Sequence, residues 1–172
     1  MLENNESAPT LVPRFLKIIC YLTIFGSIYM IFTSVSAISS PETVTQAMTK
    51  SMESWQDIFQ KSMQYDPQAE QKFEEILTDL SNANTSSNMR DNSFFSMISN
   101  LLTLIGAWMM LRLRKKGFHF YLLGNIIAVV APLLVFGSDN FLGFSYAIFA
   151  GMTGGLFTVL YALKIKYMQC LI

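Results

Sequence analysis

Four long stretches of this chain contain no Asp, Glu, Lys or Arg, and they constrain its fold more than any other feature. They are residues 18–38, 94–111, 118–136 and 141–163. A helix that crosses the hydrocarbon of a bilayer needs about 20 mostly apolar residues, and each stretch is close to that length. The helices of a soluble bundle would show a polar face at every turn, and these stretches do not. The sequence therefore predicts an all-α, integral membrane four-helix bundle in contact with the lipid bilayer.

The segments between these four predicted spans divide the rest of the chain. With 172 residues there is room for one domain, and only 14% of the residues are charged. We expect a cytoplasmic N-terminal segment (1–17), a long helical loop outside the cytoplasm (39–93), a basic cytoplasmic turn (112–117), a short outer loop (137–140) and a cytoplasmic tail (164–172).

The distribution of charge predicts the orientation of the spans. Eight of the twelve Lys and Arg residues flank the spans on one side: Arg14, Lys17, Arg112, Arg114, Lys115, Lys116, Lys164 and Lys166. Residues 39–93 hold nine acidic and four basic residues, a net charge of −5. Basic residues are retained on the cytoplasmic side of a membrane. Both termini and the turn at 112–117 are therefore predicted to be cytoplasmic, and the loop at 39–93 extracytoplasmic.

The long loop is predicted to contain two helices. Ser40, Pro41 and Glu42 form a helix start signal, and Asp66-Pro67 is expected to end this helix and begin another. The first helix carries an apolar stripe at steps of four and three, made of Val44, Met48, Met52, Trp55, Phe59 and Met63. Residues 81–88 are polar without helical periodicity, and we expect a linker there.

Two interpretations of this stripe remain open. The two helices can bury their apolar faces against each other or against the bundle. Alternatively, the stripe can be a docking surface for another membrane protein, because Met adapts to varied shapes and Trp and Met are enriched at interfaces. The residues of this docking hypothesis are Met48, Met52, Trp55, Phe59 and Met63.

Small residues predict how the spans pack. In the fourth span a small residue recurs at every fourth position, at Gly143, Ala147, Gly151 and Gly155. The third span has the same spacing at Gly124 and Ala128. Such steps allow two helix backbones to approach closely. Packing of this kind can occur within one chain and does not require a homo-oligomer, although a homo-oligomer is compatible with it.

The sequence contains no pattern that indicates catalysis, a cofactor or a metal. His119 is the only histidine, the two cysteines Cys20 and Cys170 form no CxxC motif, and no Asp, Glu, Lys or Arg lies within a span. No phosphate-binding glycine loop is present, and the carboxylates of the long loop have the spacing of a solvated helix face. We therefore expect a non-enzymatic protein without cofactors and without nucleic acid among its partners.

One stretch resembles a known group of proteins. Residues 106–125 contain Gly-Ala-Trp-Met-Met at the end of the second span, a basic turn, and Gly-Phe-His-Phe-Tyr at the start of the third. This pattern and the four spans resemble uncharacterised small four-span inner-membrane proteins of flavobacteria and other Bacteroidetes. The resemblance implies a bacterial cytoplasmic membrane and carries over no functional residue.

Two functions are compatible with these features. The first is an accessory or scaffold subunit of a larger membrane complex, which docks through its outer loop and its small-residue helix faces. The alternative is a small channel or transporter, in which polar residues line a path between the spans and Pro132 forms a hinge. The polar residues of that path are Asn100, Asn125, Thr153 and Thr158.

Overall fold

The computed structural model describes residues 14–62 and 67–163, and this part of the chain is all-helical. It contains six helices and no strand, which confirms the predicted fold class. In chain order they are α1 (Arg14–Ser39), α2 (Pro41–Ser62), α3 (Pro67–Ala83), α4 (Ser86–Leu111), α5 (Lys116–Phe136) and α6 (Phe141–Ala162).

Four of these helices have the length and composition of membrane spans, as predicted. Helices α1, α4, α5 and α6 contain 26, 26, 21 and 22 residues, so each is at least about 30 Å long at 1.5 Å per residue. Their large apolar side chains are largely exposed on the outside of the bundle, for example Phe32, Leu134 and Phe149. Surfaces of this kind are compatible with contact with lipid.

The helices pack in the order α1, α4, α5, α6, and the α4–α5 pair has the most extensive contact. At the crossing of α4 and α5, a Cβ added to Gly106 would lie 2.6 Å from the backbone nitrogen of Tyr121. A Cβ added to Gly117 would lie 2.6 Å from the carbonyl oxygen of Gly106. Both distances are far below van der Waals contact, so only glycine allows the two backbones to come this close.

The turn between α4 and α5 is equally tight. Leu113 has φ +57°, a left-handed conformation that is unfavourable for a branched side chain. Its side chain is nevertheless buried, in a cluster with Leu16, Met110 and Tyr161. Burial of this leucine therefore offsets the strain of the backbone.

The connection between α3 and α4 is shorter than predicted, because most of the linker expected at 81–88 is helical. Only Asn84 and Thr85 lie between the two helices. The Thr85 side chain accepts a hydrogen bond from the backbone N–H of Asn88 and caps α4. The side-chain amide of Asn84 donates to the carbonyl oxygen of Thr45 at 3.1 Å. This second bond joins residues 39 positions apart and holds α2 against the connection.

Helices α2 and α3 are held to one end of the bundle. The side-chain amide of Asn140, in the connection between α5 and α6, donates to the carbonyl oxygen of Asp79 in α3 at 3.0 Å. An apolar cluster of Ala83, Met89, Phe136 and Leu142 joins the same elements, with Val44 and Met48 of α2 packed against it. We call this end of the bundle the α2–α3 end and the opposite one the basic-turn end.

The close approach at Gly106 predicts the effect of adding one methyl group. Gly106→Ala should lower the free energy of unfolding by about 1–3 kcal/mol, because the new Cβ overpacks against backbone atoms that cannot move aside. The measurement is thermal or denaturant unfolding of the purified chain in detergent.

Gly26→Ala is the matched control. A Cβ at Gly26, inside α1, would meet nothing within 4 Å, so stability should stay unchanged or rise by up to about 1 kcal/mol through helix propensity. Equal effects of the two substitutions would contradict the α4–α5 crossing described above.

Candidate functional site

An apolar groove lies between α2 and α3, and we call it the α2–α3 groove. Its volume is about 670 Å³. Met52 and Trp55 line it from α2, Phe73 and Ile76 line it from α3, and Phe141 from the start of α6 contributes to the lining. Apolar side chains of α3 therefore form one wall of this groove.

The two interpretations of the apolar stripe of α2 apply to different parts of it. Its first part, Val44 and Met48, packs against the apolar cluster at the end of the bundle. Further along, Met52 is half-buried and Trp55 is 64% exposed at the groove. The side chain of Phe59 and the whole of Met63 lie outside the described residues. Burial against the bundle therefore accounts for the first part of the stripe and leaves Trp55 uncovered.

Acidic side chains of α2 and α3 lie outside the lining of the α2–α3 groove. Glu53, Asp57, Glu74 and Glu75 are all exposed, and Glu53 and Glu74 line a separate pocket between the same two helices. Among the described residues, Lys72 is the one charged side chain in the lining of the groove. The surface near the exposed indole of Trp55 is therefore apolar, and the acidic residues lie elsewhere on the two helices.

A second site is a cavity of about 660 Å³ between the four long helices, in the half nearest α2 and α3. We call it the interhelical cavity. Asn100, Asn125 and Thr153, which the sequence predicts for a polar path, all line it, and so does Pro132. Thr158 does not line this cavity. Its hydroxyl accepts a hydrogen bond from the Asn125 side-chain amide at 3.3 Å.

An apolar and aromatic cluster closes the bundle at the basic-turn end of the interhelical cavity. Cys20 of α1, Met110 of α4 and Tyr161 of α6 are fully buried there. The hydroxyls of Tyr161 and Thr23 hydrogen-bond to each other at 2.8 Å, and the rings of Tyr161 and Tyr121 meet edge to face at 4.8 Å. Sequence reasoning missed this contact between α1 and α6, because nothing in the local pattern pairs Thr23 with a residue 138 positions away.

The small residues of α6 pack on α5, with one change from the predicted step of four. A Cβ at Gly143 would lie 2.5 Å from the carbonyl oxygen of Gly137, and Ala147 is buried. Gly151 has looser surroundings, with Val129 at 3.7 Å from such a Cβ. A Cβ at Gly155 would meet nothing within 4 Å, whereas one at Gly154 would lie 2.5 Å from the Asn125 side-chain oxygen. The close approach therefore falls at Gly154, seven residues after Ala147, a step that also returns to one face of a helix.

The small residues of α5 have different surroundings. A Cβ on Gly124 would lie 2.8 Å from the carbonyl oxygen of Ser99 in α4, and the Ser99 hydroxyl donates to the carbonyl oxygen of Gly124 at 2.8 Å. Ala128, one turn further along, lines the interhelical cavity. Of the two small residues of α5 that were predicted to pack, Gly124 therefore contacts α4 and Ala128 lines the cavity.

The basic residues predicted to orient the chain lie together at the basic-turn end. Arg112, Arg114 and Lys116 are exposed and Lys115 is half-buried. The Arg112 guanidinium lies over the Trp108 ring, 5.3 Å from its centroid, a favourable cation–π distance. Lys164 and Lys166 lie outside the described residues.

Neither a metal centre nor a relative indicates a further function. Among residues 14–62 and 67–163, no group of three or more His, Cys, Asp or Glu side chains is placed to hold a metal ion. No known protein family, curated protein or solved structure matches the chain.

The contact between Gly154 and Asn125 predicts a coupled pair of substitutions. Gly154→Ala should lower the free energy of unfolding by about 1 kcal/mol, because the new Cβ displaces the Asn125 side chain from its hydrogen bond with Thr158. The measurement is denaturant unfolding in detergent, with Gly155→Ala as the neighbouring control that should have almost no effect.

A double-mutant cycle shows whether the effect runs through Asn125. In an Asn125→Ala background, Gly154→Ala should no longer destabilise the protein. Additive effects of the two substitutions would be inconsistent with the described packing of α5 on α6.

Proposed function

We propose that this chain is a non-enzymatic accessory subunit of a larger membrane complex and that it binds its partner in the α2–α3 groove. The observation that carries this proposal is the exposure of Trp55 beside an apolar groove at the α2–α3 end of the bundle. Aromatic and Met side chains in a groove are typical of the residues that dominate binding energy at interfaces. The hydrogen bonds and the apolar cluster that hold α2 and α3 to the bundle support this role, because less ordering is then required on binding.

The surroundings of the groove specify the chemistry of the partner. The groove accommodates an apolar helix or loop, and the excess of carboxylates in residues 39–93 favours a partner surface that carries Lys or Arg. The partner is a second membrane protein, because the groove lies directly against the first turn of α6, at Phe141. A nucleic acid would be repelled by the same carboxylates.

The orientation belongs to the same proposal. The basic turn and both termini lie in the cytoplasm of a bacterial cell, and α2 and α3 lie on the other side of the inner membrane. The charge asymmetry between the two ends supports this orientation.

Truncation of Trp55 tests the docking proposal. Trp55→Ala should lower the yield of a stoichiometric partner in mild-detergent purification by at least about tenfold, a loss of roughly 1.4 kcal/mol. Trp108→Ala is the matched control, since Trp108 is also more than half exposed but lies at the basic-turn end. The chain should still insert into the membrane in both variants. Recovery of the wild-type chain alone, or equal yields with both variants, would refute the proposal.

Accessibility of introduced thiols tests the orientation. In a background with both cysteines replaced by alanine, Asp57→Cys should react with a membrane-impermeant maleimide on intact spheroplasts. Lys116→Cys should react only after the membrane is broken. Reaction of Lys116→Cys in intact spheroplasts would reverse the proposed orientation.

A further inference from the structure

The shape of the interhelical cavity follows from the uneven packing of the four long helices. At the basic-turn end α1 and α6 meet through the Thr23–Tyr161 hydrogen bond. Towards the α2–α3 end, the cavity lies between these two helices, with α4 and α5 behind it. Met30 of α1 and Phe149 of α6 line the cavity and are 44% and 72% exposed. The cavity therefore has an opening at the side of the bundle, between two spans.

The back wall of the cavity is partly polar. Its polar lining residues include Ser96, Ser99 and Asn100 of α4 and Asn125 of α5, whereas Ala128 and Pro132 of α5 are apolar. The hydrogen bonds of Asn100 to the Ser96 carbonyl oxygen, at 2.7 Å, and to the Ser96 hydroxyl, at 3.3 Å, both use its amide nitrogen. An Asn side chain also carries a carbonyl oxygen that accepts hydrogen bonds. The wall therefore offers a bound molecule both hydroxyl and amide groups.

The lining also limits the charge of any occupant. None of the described residues that line the cavity is an Asp, Glu, Lys, Arg or His. A charged group buried among these spans would have no partner of opposite sign, and burying such a charge is very costly. An uncharged polar group, by contrast, can exchange hydrogen bonds with the wall without that cost.

From these three observations we propose that the interhelical cavity binds a neutral lipid of the diacylglycerol type. Its hydroxyl and ester groups bond to the wall around Asn100, and an acyl chain leaves between Met30 and Phe149 into the bilayer. The volume of about 660 Å³ lies within the range of about 300–1,000 Å³ that is usual for small-molecule sites. The apolar cluster around Tyr161 closes the basic-turn end, and the opening between Met30 and Phe149 admits the ligand from the membrane. This inference is independent of the α2–α3 groove.

Photo-crosslinking of the full-length chain in phosphatidylcholine nanodiscs tests the proposal. Three probes carry the same diazirine-labelled acyl chain: a diacylglycerol, a phosphatidic acid and a phosphatidylcholine. The diacylglycerol probe should label the protein about tenfold more than the other two at equal concentration, which corresponds to roughly 1.4 kcal/mol of selectivity. The labelled peptides should come from α1 and α6 beside the opening.

Two variants separate specific binding from a general effect on the bundle. Ala128→Phe fills the cavity from α5, and Asn100→Leu removes a polar group from the wall at nearly constant volume; each should lower diacylglycerol labelling by about tenfold. Leu134→Phe, on the outer surface of α5, should leave labelling unchanged. Thermal unfolding of each variant shows whether it is folded.

Four results would overturn the proposal. The first is equal labelling by all three probes, which is the result expected for bulk lipid. The second is labelled peptides that lie away from the cavity, and the third is labelling of folded Asn100→Leu at the wild-type level. The fourth is preference for the phosphatidic acid probe, because that result would require a positive charge that the lining does not contain.

Discussion

The contact between the backbones of α4 and α5 at Gly106 and Gly117 is the interaction on which the rest of the bundle depends. In lipid, helices gain little from burying apolar side chains against each other, so close van der Waals contact and interhelical hydrogen bonds determine the packing. The two glycines bring the backbones within reach of such contacts, and the Ser99 hydroxyl adds a hydrogen bond to the Gly124 carbonyl oxygen further along the pair. Helix α1 then packs on α4, and α6 packs on α5. Both outer spans are therefore positioned by this central pair.

This arrangement explains why the bundle has one closed end and one open end. Helix α6 reaches α1 at the basic-turn end, where Tyr161 hydrogen-bonds to Thr23 and packs on Tyr121 of α5. In the half nearest α2 and α3, small residues such as Ala128 and Gly154 face the space between the long helices, and a cavity remains. The two proposed sites therefore have separate structural origins: the interhelical cavity lies between the four spans, and the α2–α3 groove lies between the two other helices.

Much of the fold could be predicted from the sequence, because absence of charge over about 20 residues is a local property that directly indicates a span. The helix starts at Pro41 and Pro67 are equally local, since proline ends one helix and favours the first turn of the next. The predicted linker at 81–88 was wrong for most of its length, because its helical ends depend on distant partners such as the Thr45 carbonyl oxygen, which accepts from Asn84. The shift of the α6 contact to Gly154 could not be predicted either. It depends on where the Asn125 side chain of α5 meets α6, which is a property of the packed pair.

The central claim is that α1, α4, α5 and α6 lie in the bilayer while α2 and α3 lie in water. Spin labels attached one at a time at Leu122, Ile126, Leu134 and Trp55, in nanodiscs, test it by power-saturation EPR. The three sites on α5 are exposed on the outside of the bundle. They should therefore collide often with oxygen, which dissolves in lipid, and rarely with a water-soluble nickel complex. The label at Trp55 should show the reverse. Nickel accessibility on α5 equal to that at Trp55 would contradict the account.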